Sequence, residues 1–146
     1  MRGRPLTRLL ALAVIALLNA PQLAFADPLR KTVCELDGSL KEFESQEVII
    51  DAEYIEFYHG QGLKDRSCPK AIVFVWIDYK RSDLDPFLAA WAQRPTLHEI
   101  AATFTGRVTP HVANVGFGDQ KRTLLFLDLT SAANWHYVPR SPAPER

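Results

Sequence analysis

Residues 47–57 read Glu-Val-Ile-Ile-Asp-Ala-Glu-Tyr-Ile-Glu-Phe, and this stretch decides the fold. Val48, Ile50, Ala52 and Tyr54 fall on one side of an extended chain. Glu47, Ile49, Asp51 and Glu53 fall on the other. A period of two marks a strand with one face in a core. The acids opposite the apolar set read as an ordinary solvated face. At Ile55 and Phe57 the alternation slips by one residue, which predicts a β-bulge and a bend. A long, bent first strand suits a small closed barrel.

Residues on either side extend the pattern. His59-Gly60-Gln61-Gly62 is a glycine-rich hairpin turn, followed by a short strand over 63–66. Residues 71–77 (AIVFVWI) are all apolar and rich in β-branched and aromatic types, so they read as a buried strand with Trp76 in the core. Asp85-Pro86 is a helix start, with Asp85 as N-cap. Phe87, Leu88 and Trp91 follow at helical spacing, placing Trp91 against the barrel end, and Pro95 stops the helix. Thr96-x-x-Glu99 has the form of a capping box that opens a second short turn. Residues 103–109 form a strand in which Gly106 marks a bend or a close approach. Residues 112–122 form a loop containing Gly116-Phe117-Gly118, and 123–129 a last strand. Upstream, residues 32–36 read as a short strand or extended arm before the turn Asp37-Gly38-Ser39. Downstream, Pro139, Pro142 and Pro144 predict a disordered tail over 139–146.

The chain of 146 residues opens with Arg2, Arg4 and Arg8, a ten-residue apolar run over 9–18, and Ala24-Phe25-Ala26. That is the three-part layout of a secretory signal peptide, and the run is too short to span a bilayer. Residues 1–26 are therefore expected to be removed, leaving one domain over 27–138 outside the cytoplasm, periplasmic or secreted. No second long apolar run follows, so no membrane span is expected in the mature chain. Lys+Arg and Asp+Glu number 17 each, but three of the arginines lie in the opening segment and no acid does. The remainder is mildly acidic, which argues against nucleic acid as a partner. The two cysteines, Cys34 and Cys68, are expected to pair after export. In the chain-entropy account, such a bridge contributes roughly 3–4 kcal/mol.

The order strand, short strand, strand, helix, strand, strand resembles that of small exported bacterial OB-fold proteins over residues 32–130. The likeness rests on the opening signal segment, the bent strand at 47–57, the helix after Asp85-Pro86 and the Gly106 strand before the last hairpin. It implies an all-β, five-stranded OB-like barrel with one helix. It also implies binding of oligonucleotides, oligosaccharides or proteins on the barrel face and the loops joining strands 1–2 and 4–5. The same element order permits an open α+β sandwich.

No G-x-S-x-G or H-E-x-x-H occurs, and no motif calls for a cofactor or a metal. The expectation is a non-catalytic binding domain of the cell envelope, its partner an unknown protein or small molecule. The alternative is an envelope protein–protein partner, such as an enzyme inhibitor or accessory subunit. A hydrolase would need acids, or a histidine and a hydroxyl, converging in one cleft. The candidate binding residues are His59 in the loop between strands 1 and 2, His111 opening the loop between strands 4 and 5, and Phe117 between its glycines. His98 and His136 read as surface positions.

Overall fold

The structure is a computed structural model and describes residues 27–58, 60–114 and 120–141. In chain order the elements are β1 (Leu29–Lys31), α1 (Val33–Leu36), β2 (Glu47–Phe57), β3 (Gly60–Lys64), β4 (Ile72–Trp76), α2 (Asp85–Ala92), β5 (His98–Asn114) and β6 (Lys121–Pro139). Short 3-10 turns lie at Leu40–Phe43 and Ser82–Leu84. The protein is mostly β-sheet, with α2 its one helix of more than a single turn among the described residues.

The strands pair in a ring. β2 pairs antiparallel with β3, and β3 with β4. β4 runs parallel to β6, β6 antiparallel to β5, and β5 returns antiparallel to β2. β2 is long enough to share one edge between two partners. β3 covers Glu53 to Phe57, and β1 lies parallel to Val48 to Ile50, where β3 does not reach. A short added strand thus covers a segment of edge that would otherwise stand open.

The predicted inward set of β2 (Val48, Ile50, Ala52 and Tyr54) is buried. It packs with Leu63, Val73, Val75, Ile100, Phe104, Val108, Leu127 and Leu129 from the other strands. From α2, Phe87 and Trp91 set their rings edge-on to Tyr54, at 5.2 and 4.7 Å between centroids. Such pairs contribute about 0.5–1.5 kcal/mol each beyond burial. Burial pushes the Tyr54 phenol well above its ordinary range.

Several expectations are corrected. β2 carries no bulge: its register runs unbroken against β5 and β3. Ile55 and Phe57 point outward, and their apolarity serves an outer patch. The irregularities lie in the β5–β6 pairing, near Ala102 and between Thr105 and Gly106, with Asn134 of β6 in the left-handed region at φ 55°. Glu53 is not solvated but buried. Residues 33–36 form a helical turn, because Thr32 and Glu35 make a reciprocal capping box. The Thr32 amide and hydroxyl hold the Glu35 carboxyl below its usual range. Thr96-x-x-Glu99 starts no helix: Leu97 adopts φ 64°, and His98 and Glu99 enter β5. Asp85 is the first residue of α2, not its cap, since the preceding 3-10 turn leads directly into the helix. β5 and β6 run well past their expected ends because they pair with each other along nearly their whole length, carrying Trp135 and Tyr137 within β6.

Cys34 and Cys68 form the expected disulfide, Cα atoms 5.8 Å apart, tying α1 to the turn before β4. No helix among the described residues is long and apolar enough to cross a membrane. β6 runs through Pro139, and the Arg140 amide donates to the Leu97 carbonyl at 2.8 Å.

Candidate binding face

Alternation within β4 sends Val73 and Val75 into the core and Phe74 and Trp76 out. Register then sets the outer rows. Ile55 of β2, Gly62 of β3 and Phe74 of β4 stand side by side, with Phe57 and Gly60 one pleat further along. Gly62 lacks a side chain where the rings need room. A Cβ there would lie 3.3 Å from the Phe57 ring, 2.8 Å from Ile72 Cγ2 and 3.2 Å from the Val73 carbonyl oxygen. Phe57 and Phe74 meet edge to face at 5.5 Å.

From Phe74 the rings continue to Phe126 on β6 at 6.4 Å, and from Phe126 to Trp76 at 5.8 Å. Trp76 stacks on His111 of β5, at 4.3 Å and 12° between planes. The result is an aromatic row across the outer surface of β2, β4, β6 and β5. Phe74 is 44 % exposed and Trp76 41 %. Rings left this open on a sheet face are available for stacking or apolar contact.

The His111 ring is fixed by more than its stack. Its Nε2 lies 2.6 Å from Asp128 Oδ1 and 3.0 Å from Thr109 Oγ1. A carboxylate at that nitrogen favours a proton there, so Nε2–H donates to Asp128. Hydroxyl and carboxylate both sit at the same nitrogen. A catalytic triad needs them on opposite nitrogens, so that the base takes the hydroxyl proton while the acid orients the ring. This trio therefore anchors the imidazole and does not activate Thr109.

Of the three residues singled out in the sequence, the structure places His111 in this row. His59 and Phe117 lie outside the described residues. Tyr58, just before His59, follows the end of β2 at Phe57, and β5, which carries His111, ends at Asn114, three residues before Phe117. The sequence reading missed Phe57, Phe74, Trp76 and Phe126. Trp76 in particular is not a core residue. The signal was present: over 73–76 (Val-Phe-Val-Trp) β-branched and aromatic residues alternate, and small β-branched residues suit the tighter inner face. His98 begins β5 and His136 lies in β6 opposite Ala101. No family model matches this chain, and neither a curated protein nor a solved structure does.

Proposed function

We propose that this chain is an exported, non-catalytic binding domain, that its ring of strands closes as a five-stranded OB-like barrel, and that the outer face around Trp76 and His111 meets its partner. The observation that carries the binding role is the half-exposed Trp76–His111 stack, held in place by Asp128 on a face otherwise lined with rings. Support for the barrel comes from the closed cycle of pairings, in which β4 and β6 are the parallel pair, and from a helix between the third and fourth strands of that ring. Support for export comes from the layout of residues 1–26 and from the disulfide.

A second reading, an envelope protein–protein partner, draws on the β5–β6 hairpin beyond Val108 and Leu127. There Val112 is 64 % exposed and Leu124 also lies open. An exposed aromatic face beside an apolar hairpin is the kind of surface a protein partner covers.

Both readings are tested by immobilising the disulfide-bonded chain 27–146, passing envelope extract over it, and identifying what is retained by mass spectrometry. Trp76→Ala should weaken retention about tenfold or more, as loss of a central aromatic anchor does. Its melting temperature should stay close to that of the parent, because Trp76 is outside the core. A stoichiometric protein selects the second reading, and a small molecule or glycan the first. Retention unaffected by Trp76→Ala and Phe74→Ser overturns the assignment of this face.

A further inference from the structure

Between α2 and β5 the chain turns over Pro95-Thr96-Leu97-His98, and the His98 amide closes the turn on the Pro95 carbonyl at 3.1 Å. Leu97 adopts φ 64°, in the left-handed region that a bulky side chain seldom enters. The turn is held there by its neighbours. The Leu97 carbonyl accepts from the Arg140 amide at 2.8 Å, and the Thr96 carbonyl accepts from His98 Nδ1 at 3.1 Å. With Arg94 and Arg140, these four residues line a pocket of about 340 Å³. None of the six belongs to the aromatic face around Trp76 and His111.

Positive charge and hydrogen-bond donors are in surplus here. No acid lines the pocket. Glu99, next along the chain, is buried and already bonded to Lys64 Nζ at 2.5 Å. Arg140 Nε approaches Glu99 Oε1 only to 3.6 Å, and the Arg140 side chain is half exposed. Arg94 forms no ion pair among the described residues. Its guanidinium lies 3.5 Å from the centroid of the Trp91 ring and donates from Nη1 to the Trp91 carbonyl at 2.9 Å. A cation at the end of α2 suits the helix dipole, but that role occupies one of five N–H groups. The stack and the bond fix the direction of the rest. The Thr96 hydroxyl and the Thr96 and Leu97 amides have no hydrogen-bond partner among the described residues. By contrast, the carbonyls of Pro95, Thr96 and Leu97 each accept a bond already. His98 Nε2 is an acceptor while the ring is neutral and a donor once it is protonated. A cationic ligand would meet two guanidiniums and no carboxylate. An oxyanion meets both charges and the spare donors, and a planar guanidinium gives a carboxylate or phosphate two parallel bonds.

We infer that this pocket binds the oxyanion group of a small molecule, a carboxylate or a phosphate, held by Arg94 and Arg140. The inference stands apart from the aromatic face and does not require it. The test is amide chemical-shift mapping by NMR on the disulfide-bonded chain 27–146, in sodium chloride at constant ionic strength. Succinate, inorganic phosphate and putrescine are titrated separately. Succinate, phosphate or both should move the amides of Thr96, Leu97 and His98 along a saturating curve, and the one that binds names the group. Arg140→Gln should weaken that binding about tenfold while melting close to the parent, because it gives up only a long contact with Glu99. Arg94→Gln should weaken it by a similar factor. Should the loss of the Trp91 stack unfold that variant, Arg140→Gln decides alone. Lys70→Gln removes an exposed cation outside the pocket and should bind as the parent does, which separates a built site from general charge. Silence from both anions, shifts that do not saturate or that fall on other residues, equal shifts from putrescine, full binding by Arg140→Gln, or an equal loss in Lys70→Gln would overturn the inference.

Discussion

Gly106 shows how much one missing side chain decides. A Cβ at this position would lie 2.7 Å from the Asp128 carbonyl oxygen and 2.9 Å from the Leu127 side chain. The obstacle is partly backbone, so it cannot swing aside. Gly106→Ala should therefore cost about 1–3 kcal/mol, as overpacking does, and a urea-denaturation midpoint equal to that of the parent would contradict the close approach. Tyr54 gives a residue-scale prediction in pH. Its folded phenol titrates above the ordinary value of about 10, because burial disfavours the phenolate. Below about pH 10 both folded and unfolded chains keep the proton, and the Tyr54 contribution is fully present. Above it the unfolded chain ionises first, so stability falls as pH rises. Thermal melts from pH 8 to 11 should show a steeper alkaline decline in the parent than in Tyr54→Phe, and parallel curves would refute this account. The alternation that buries Tyr54 was legible in the sequence. The outward direction of Trp76 was also encoded, but a run of apolar residues hides which face is which until a partner strand sets it.

At the scale of elements, α1 and its bridge are the instructive pair. Thr32-Val33-Cys34-Glu35 carries a capping box that short length and β-branched residues disguise as a strand. One helical turn cannot stand alone in water. It holds because Val33 and Leu36 are buried and because Cys34 is bonded to Cys68 on the turn before β4. Reduction, or the double change Cys34→Ser and Cys68→Ser, should lower unfolding free energy by about 2–5 kcal/mol in denaturant titrations. A smaller loss than this range would mean that α1 stays docked through its apolar contacts. β1 is the opposite case: three residues with little pattern of their own, ordered as a parallel strand only because β2 outreaches β3.

For the whole molecule, the polar cluster around Lys64 matters as much as the apolar core. Lys64 links β3 to Glu53 on β2 and Glu99 on β5, while Arg66 and Arg140 join the end of β6 to the same carboxylates. Removing the central cation leaves two buried carboxylates short of compensation. Lys64→Ala should cost about 3–5 kcal/mol, a large part of the 5–15 kcal/mol typical of a domain. Calorimetry that finds a loss below about 1 kcal/mol would show that the two carboxylates are served by their arginines alone.

Unlike β1 and the helical turn α1, the succession of β2, β3, β4, α2, β5 and β6 along the chain, the inward row of β2 and the pairing of two cysteines were determined by sequence alone. Each follows from short-range chemistry: a period of two, a proline at a helix start, two thiols in a chain that opens like an exported one. The aromatic row and the burial of Glu53 and Glu99 were decided only by tertiary structure. Phe57, Phe74, Phe126 and His111 belong to four different strands, and Glu53, Lys64 and Glu99 to three. Their meeting depends on register and on the return of β5 to β2, which are properties of the closed ring of strands and of no single segment.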